Sequence, residues 1–344
     1  MVVFRASTQA DLPNISELLI SAFDAPPAAP FLEPALLRWK YWDPREDWAG
    51  PRSYVLESRG RIVAHAGIWP VEFSLNGRHF RGVHMIDWAS AKDVPGGGLA
   101  LVQKLAALFD FIFAIGGSDS TRKALPAYGF AEIGRTWIAA RPLRPVQQAL
   151  THQSRNWKLP VRLLRNAYWS LAPRVEAARG WTASEITAEQ AESRLLDSPS
   201  DAVFSPRTIG FFQYLLRCPA MRFRLYQIAR EGQVQGHFVL GVSRGQARLA
   251  HLAMCDGGEE ALRSAYTLAD QIARRLAGAN EMIIRGSEGL ASKAILKAGF
   301  RCLGGAPVYL RSGKTGFTFP KDFQFQLAEN DEAFLDSGEF SYLT

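Results

Sequence analysis

The chain has 344 residues, which at about 100 to 200 residues per domain predicts two domains. Hydrophobic residues make up 47% of the chain and charged residues 21%, so it can bury real cores and is not intrinsically disordered. The net charge of +7 is typical of a protein with an anionic partner, such as nucleic acid, a membrane surface or a phosphorylated cofactor.

The cysteines and the apolar stretches exclude further classes of protein. Cys218, Cys255 and Cys302 lie far apart without ligand spacing, so we expect neither a disulfide framework nor a metal site, and we expect a cytoplasmic location. The N-terminus enters a strand and then a capping box at residues 8–11, without the apolar core of a secretory signal. Polar residues interrupt the most apolar stretch, 98–117, so no membrane-spanning helix is predicted.

Strand and helix patterns alternate through the first part of the chain. This alternation, with a hairpin turn at Arg59-Gly60, predicts a mixed α/β sheet with helices on its faces. The predicted elements are residues 2–6, 8–23, 53–57, 61–69, 82–90, 98–108, 111–116, 121–128 and 131–140.

The positive charge is concentrated in residues 141–179. This segment holds eight Lys and Arg residues and the single acid Glu176, a net +7 that equals the charge of the whole chain. We interpret it as a linker with one short helix at 161–171. The helix either contacts an anion or a membrane through Arg162, Arg165 and Trp169, or is a solvated connector whose apolar side packs on the domains.

An internal repeat divides the chain into two similar copies. The matches include the pattern Y-x5-G-x4-H, and they occur in the same order in both copies. The matched ranges are 31–41 with 204–214, 54–65 with 226–237, and 125–130 with 295–300. We therefore predict an N-terminal domain at 1–145, a basic linker at 146–179 and a C-terminal domain at 180–344.

Three consecutive glycines, Gly96 to Gly98, lie between a predicted strand and an amphipathic helix. Backbone N–H groups at the positive end of a helix dipole suit a phosphate or pyrophosphate. A merely flexible connection is the alternative interpretation of such a turn.

The segments RASTQADLPNISELLISAF, VPGGGLALVQKL and STRKALPAYGF resemble the GNAT superfamily of CoA-dependent N-acyltransferases. The second copy resembles the tandem arrangement known in that superfamily. The resemblance implies two GNAT-like domains and acetyl-CoA or another acyl-CoA as co-substrate, without a metal. Two positions depart from the family pattern: Pro95 replaces the usual Arg or Gln of the loop, and Leu125 replaces the Tyr that protonates the CoA thiolate. Water, Ser118, Ser120 or Tyr128 are the alternatives for that proton.

The resemblance also implies which residues bind the co-substrate. The loop would hold the pyrophosphate by backbone contacts, and the end of the preceding strand would flank the pantetheine. The residues expected to bind the co-substrate are Trp88, Ser90, Gly96, Gly97, Gly98, Leu99, Ala100 and Ser118.

Two residues on the central strand are candidates for the base that deprotonates the amine, namely Asp87 and His84. They would point to opposite faces of a regular strand, so a β-bulge decides which one faces the cleft. His84 has a rough counterpart in His251, whereas Asp87 has none. A salt-bridged core acid is the alternative role for Asp87.

Three residues are candidates for the acceptor site: Trp39, Tyr41 and His65. Trp39 and Tyr41 belong to an aromatic cluster that either lines the substrate or caps the core. His65 is matched by His237 in the second copy, which favours a structural, hydrogen-bonded histidine.

The second copy carries acids where the first carries glycines. Asp256, Glu259 and Glu260 surround its turn and would repel a pyrophosphate, so we expect this copy to be degenerate and without CoA. Further acids follow near the C-terminus, where they form either a solvated acidic tail or an attraction for a cationic acceptor. These acids are Glu329, Asp331, Glu332, Asp336 and Glu339.

These expectations combine into one functional hypothesis, an N-acyltransferase. It would move an acyl group, in the first place acetyl, from acyl-CoA to a primary amine of a small molecule or sugar by direct attack. Its partners would be the amine acceptor, with no nucleic acid and no integral membrane segment, and its oligomeric state is open. One alternative is a non-catalytic binding or scaffold protein. The other is a basic adaptor that contacts nucleic acid or membrane through the linker.

Overall fold

A single mixed sheet of twelve strands organises the part of the chain that the structure, a computed structural model, describes. The strands lie in the order β1-β2-β3-β4-β5-β12-β6-β11-β10-β9-β8-β7. The described residues are 2–75, 78–117, 119–152, 157–171, 176–191, 207–287, 290–317, 325–335, 338 and 340–344. The strands are β1 Val2–Ala6, β2 Ser53–Ser58, β3 Arg61–Leu75, β4 Arg78–Ser90, β5 Phe111–Ile115, β6 Ala131–Pro142, β7 Trp181–Ile186, β8 Arg222–Arg230, β9 Gln233–Ser243, β10 Gly245–Met254, β11 Ala279–Ser287 and β12 Arg301–Ser312.

Helices connect the strands and cover the sheet. The capping box is present at the entry to the first helix, where the Asp11 carboxylate accepts the N–H of Thr8 at 2.8 Å and is held by Arg5. The α-helices in the described ranges are α1 Leu12–Phe23, α2 Pro34–Tyr41, α3 Gly97–Ala106, α4 Asp119–Ala124, α5 Pro145–Thr151, α6 Leu159–Leu171, α7 Ile209–Leu216, α8 Glu259–Arg275 and α9 Leu290–Lys297. The predicted fold class, a mixed α/β sheet with helices on its faces, is confirmed.

The two halves of the sheet exchange their last strands. Strand β5 of the first half pairs with β12 of the second, and β11 of the second half pairs with β6 of the first. Strands β6 and β12 pair with each other, antiparallel, at the centre of the sheet. Strand β6 therefore lies within the predicted N-terminal domain by sequence but pairs with strands of the other half on both of its sides.

Three hydrophobic clusters hold the sheet to its helices. One lies under α1 and α3, with Ile15 and Leu101 fully buried, and another lies under α8 with Ala265 and Leu268. The third lies on the opposite face of the first half and gathers aromatic residues from distant parts of the chain. In this third cluster the rings of Trp39 and Tyr214 stack with centroids 4.7 Å apart, which ties α2 to α7.

The basic linker contains two helices, α5 and α6, rather than one short helix. The charge of residues 141–179 is also less exposed than the composition of this segment predicts. Arg141 is buried and pairs with Asp270 across 3.5 Å, while Arg144 donates to the carbonyl oxygens of Ala279 and Arg274. These two arginines therefore anchor the end of β6 to the second half. None of the described helices is both long and apolar enough to cross a membrane.

The strand exchange predicts that the two halves fold together. A fragment of residues 1–145 would lack β12, so β5 would be left with an unpaired edge and β6 would have no partner. We expect this fragment to aggregate when expressed alone, and to co-purify with a co-expressed fragment of residues 146–344. A monomeric 1–145 fragment that unfolds cooperatively in denaturant would contradict the importance of the exchange.

Candidate functional site

The sheet of the first half opens between β4 and β5. These parallel strands pair only at Gly82, Val83 and His84, although β4 continues for six more residues to Ser90. The backbone of the last part of β4 therefore has no neighbouring strand on the β5 side. This opening brings the predicted site residues of β4 close to the loop that precedes α3.

A β-bulge on β4 turns Asp87 into this region. The register with β3 shifts between His65 and Gly67, and Asp87 has a φ of 47°, in the left-handed region that non-glycine residues rarely adopt. A β-bulge, the feature that decides between Asp87 and His84, is therefore present next to Asp87. A strained conformation at this position is typical of functional sites, where surrounding contacts hold the strain in place.

Two neighbours on α2 hold the Asp87 carboxylate. The buried ammonium of Lys40 forms an ion pair with Oδ2, and the hydroxyl of Tyr41 donates to the same oxygen at 2.5 Å. Burial alone would raise the pKa of Asp87, but the charge of Lys40 and the hydrogen bonds from Lys40 and Tyr41 lower it below the usual range. Asp87 is therefore an ionised carboxylate, and no donor among the described residues reaches its other oxygen, Oδ1.

His65 fixes the backbone of Asp87 from the neighbouring strand. Its Nδ1 lies 3.0 Å from the carbonyl oxygen of Asp87, which can only accept, so Nδ1 carries the proton and Nε2 accepts from Ser53 at 3.0 Å. Ser53 in turn accepts from Ser7 at 2.6 Å. Burial lowers the pKa of His65 to about 4, so it is neutral and positions the bulge.

His84 lies at the point where β4 and β5 part. Its ring stacks on Phe113 with centroids 5.0 Å apart, and its Nδ1 has no hydrogen-bond partner among the described residues. Burial lowers its pKa to about 3, with Asp87 as the only opposing charge. A base with so low a pKa is poorly matched to an amine at neutral pH.

A second carboxylate approaches Asp87 from the C-terminal segment. Asp331 is partly buried, and its charge interacts with those of Asp87 and Lys40. Burial, followed by the negative charges of Asp87 and Glu332, raises the pKa of Asp331 to about 7. The site thus contains two carboxylates whose environments push their pKa values in opposite directions, as in many acid–base sites.

The predicted acidic tail is not solvated where the structure describes it. Glu329 is buried and forms an ion pair with Arg207, and Glu332 pairs with Arg285 at 2.7 Å. The aromatic core fixes the same segment, because the indole of Trp69 donates to the carbonyl of Ala328 at 2.8 Å. The interpretation as a solvated tail was wrong for residues 325–335, because apolar packing and ion pairs hold this segment against the sheet. Asp336 and Glu339 lie outside the described residues.

The glycine loop leaves backbone donors at the start of α3. The N–H of Gly97 donates to Val94 and that of Ala100 to Gly96, whereas those of Gly98 and Leu99 have no acceptor among the described residues. Gly96 has a φ of 79°, and a side chain there would point into open space. The loop therefore presents two unused N–H groups at the positive end of the helix dipole.

The indole of Trp88 contacts both this loop and Tyr128, the last residue of a short 3-10 helix at Leu125–Tyr128. A Cβ atom at Gly98 would lie 3.1 Å from the Trp88 ring, and the Tyr128 ring meets that ring edge-on, with centroids 5.3 Å apart. Trp88 thus forms a wall beside the loop. Ser90 is the last residue of β4 and pairs with Ala64, and Ser118 lies outside the described residues.

Two aromatic residues predicted to line the acceptor have different surroundings. Tyr41 is buried and touches both Asp87 and the ring of His65, so it belongs to the site cluster. Trp39 is 2% exposed, and its surface is taken up by Tyr214, Trp69 and Phe334. We therefore assign Trp39 a packing role between the two halves.

Sequence reasoning placed Lys40 in the aromatic cluster before the hairpin but did not pair it with Asp87, and it left Asp331 among the C-terminal acids. Lys40 is 1% exposed, and its signal was a single lysine inside the apolar, aromatic sequence LLRWKYW, a residue type that is rarely buried without a charge partner. Asp331 gave no such signal, because its sequence neighbours are also acids.

The second half has the same opening but different chemistry. Strands β10 and β11 also part, after Leu249, while Asp256 accepts the N–H of Gly258 at 2.8 Å in front of α8. Ala89 lies opposite His65 and Ala253 opposite His237, so the register places His251 at the position of Asp87. The rough match of His251 with His84 was therefore wrong, and Asp87 does have a counterpart, because His251 stands two residues before Ala253 just as Asp87 stands two residues before Ala89.

His237 and His251 form a buried pair without hydrogen-bond partners among the described residues. Their ring centroids are 5.2 Å apart, Phe212 contacts both rings, and none of the four ring nitrogens has a partner. Burial lowers the pKa of His237 to about 4, helped by the positive charge of Arg207. Within the described ranges, no three His, Cys, Asp or Glu side chains come together in a way that could hold a metal ion.

The comparisons with known proteins agree with this architecture. No family model and no curated protein matches the chain by sequence. A GCN5-related N-acetyltransferase from Anabaena variabilis superposes with a TM-score of 0.57 at 11% identity, over 91% of this chain and 73% of its own. One from Kribbella flavida gives 0.55 at 13%, over 91% and 71%. N-myristoyltransferase from Saccharomyces cerevisiae, solved with myristoyl-CoA and inhibitors, gives 0.60 at 13%, over 95% and 84%. The chain therefore has the GNAT fold, as the resemblance predicted.

The neutral buried histidines predict a loss of stability in acid. Between pH 6.5 and 4 the unfolded chain binds protons at His237 that the folded chain does not, so the free energy of unfolding falls as the pH is lowered. We expect His237→Gln to reduce this slope by about 1.4 kcal/mol per pH unit, measured by urea unfolding across that range. An unchanged slope would mean that His237 is protonated equally in both states.

Proposed function

We propose that the protein is an acyl-CoA-dependent N-acyltransferase whose active site lies in the first half. One observation carries the proposal: Asp87 lies on the part of β4 that no longer pairs with β5, and the next residue, Trp88, lies against Gly98 of a loop whose Gly98 and Leu99 N–H groups have no acceptor among the described residues. A polyanionic co-substrate and an amine acceptor need these two features next to each other. The shared fold supports the same reaction class.

The loop would bind the pyrophosphate through the N–H groups of Gly98 and Leu99. The pantetheine would lie along the unpaired edge of β4 between Met85 and Ser90, with Trp88 as its wall. The oxygen of the thioester would accept a backbone N–H of this strand, which stabilises the oxyanion as the carbonyl is attacked. Backbone groups therefore replace the missing family Arg or Gln at Pro95.

Asp87 and Asp331 would divide the work on the amine. The ionised Asp87 attracts and orients the amine through Oδ1, while Lys40 and Tyr41 keep its carboxylate fixed. Asp331, with a pKa of about 7, accepts the proton from the attacking nitrogen. The new C–N bond forms as the C–S bond of the thioester breaks, and CoA leaves as its thiolate. The thiolate then takes a proton from water, since the pKa of a thiol is near 8.5.

The second half would act as a support rather than as a second enzyme. Asp256 already occupies the N-terminus of α8, and Glu259 beside it pairs with Lys297. A pyrophosphate at this position would meet two carboxylates. The location and the acyl group are separate parts of the proposal. The reaction draws on acyl-CoA, so we propose a cytoplasmic location. Thermal-shift titrations with acetyl-CoA and with longer acyl-CoAs distinguish which acyl group the protein takes.

Acyl-CoA binding predicts a thermal shift that depends on the charge at position 99. A ligand at 100 times its Kd adds about 2.7 kcal/mol to the free energy of unfolding, so titrations with acetyl-CoA and with longer acyl-CoAs should raise the Tm. Leu99→Glu, which imitates the second half, should abolish the shift, and the neutral Leu99→Gln should retain it. A chain that shows no shift with any CoA ester would overturn the enzyme proposal.

The assignment of the base predicts a pH profile. With a panel of primary amines and detection of the released CoA thiol, Asp331→Asn should lower kcat/KM by roughly 100- to 10,000-fold and remove the acid limb near pH 7. Glu332→Gln is the matched comparison: it should keep activity but move the acid limb to lower pH, because it removes one of the charges that raise the pKa of Asp331. Full activity of Asp331→Asn would exclude Asp331 as the base. A thermal shift without thiol release from any amine would favour the non-catalytic alternative.

A further inference from the structure

The outer face of α6 exposes large apolar side chains to solvent. Five residues, beginning just before the helix, recur at intervals of three and four and so form one stripe, which we call the α6 face. They are Trp157, Val161, Leu164, Tyr168 and Leu171, and they are 62 to 80% exposed. Val146 and Leu150 of α5 are also more than 60% exposed. Exposed apolar residues grouped in this way mark an interaction surface.

The opposite side of α6 is fixed to the protein. The side chain of Asn166 is buried and donates to Gln148 of α5 at 3.0 Å, and Gln148 donates to Thr344 at 2.8 Å. The connector interpretation required the apolar side of this helix to pack on the domains. The structure meets this requirement only in part: Leu159, Leu163 and Trp169 are half-buried beside Asn166, whereas the stripe from Trp157 to Leu171 faces outward.

Positive charge surrounds the α6 face. Residues 145–171 contain four Lys and Arg residues and no Asp or Glu. Lys158 and Arg165 are exposed, Arg162 is partly so, and the guanidinium of Arg301 lies 5.8 Å from the ring of Trp169. The surface therefore combines an apolar stripe, an aromatic residue at its start and cations along its side.

We propose that the α6 face docks on an anionic lipid bilayer, with α6 lying in the plane of the interface. Apolar side chains would enter the acyl boundary, Trp157 and Tyr168 would lie at the headgroups, and Lys158, Arg162 and Arg165 would meet lipid phosphates. This docking is independent of the acyltransferase site and fits a peripheral rather than a spanning protein.

Two features favour lipid over a second copy of the chain. A symmetric dimer through this face would bring Lys158, Arg162 and Arg165 of the two copies together, with no acid in residues 157–171 to separate them, and like charges so close are costly. A bilayer supplies a flat apolar surface and the complementary charge together. The stripe lies on the outside of a single helix, which is the shape that inserts into an interface.

Vesicle co-sedimentation of the full chain tests the proposal. We expect binding to phosphatidylcholine vesicles that contain about one third phosphatidylglycerol, weaker binding at high salt, and little binding to pure phosphatidylcholine. The double variant Leu164→Asp/Leu171→Asp should lose about a hundredfold or more in affinity, and Lys158→Gln/Arg165→Gln about thirty-fold. The control is Leu296→Asp, which places the same charge on an exposed leucine of α9.

Other outcomes overturn the proposal. Equal binding of the wild type and Leu164→Asp/Leu171→Asp would mean that lipid does not contact this face. Absence of binding to anionic vesicles would exclude lipid as the occupant. A concentration-dependent dimer in light scattering that the same double variant abolishes would assign the face to a second copy of the chain. Unchanged Tm values of the variants would show that each result reports binding rather than unfolding.

Discussion

The pairing of β6 with β12 at the centre of the sheet is the constraint on which the rest of the structure depends. Because β12 completes the first half, the chain that follows it emerges beside β5 and β4 rather than beside its own half. The C-terminal segment then packs on Trp69 and Phe113, and Asp331 comes within reach of Asp87. The site of the first half is thus completed by the end of the second.

Buried ion pairs fix this arrangement. Lys40 with Asp87 joins α2 to the bulge, and Arg207 with Glu329 joins the start of α7 to the C-terminal segment. Removing one partner of such a pair costs about 3–5 kcal/mol, because the other charge is left buried and alone. A pair of apolar side chains in place of each ion pair would stabilise the fold equally well. We therefore ascribe a positioning role to the ion pairs: they select one position for the C-terminal segment and one for the Asp87 carboxylate.

Local patterns predicted most of the elements, because hydrophobic periodicity and capping are properties of neighbouring residues. The capping box before α1 and the glycine loop before α3 were readable from the sequence around them, whereas the bulge on β4 entered only as the feature that would decide between His84 and Asp87. The strand exchange was not readable, since a repeat shows that two copies exist but not which copy supplies each strand. For the same reason the sequence left Asp331 between a solvated tail and an attraction for a cationic acceptor: its partners are Asp87 and Lys40, far away in the chain.

The exchange also has a consequence during synthesis. Strand β5 ends at Ile115 and its partner β12 begins at Arg301, about 190 residues later. At a ribosomal rate of roughly 5–20 residues per second, the edge of β5 stays open for about 10 to 40 s after it leaves the ribosome. Five consecutive buried residues, FIFAI, form that edge, so the nascent chain carries a strand prone to mispairing until β12 is made. We therefore expect newly made chains to need protection of this edge, for example by a chaperone, until β12 emerges.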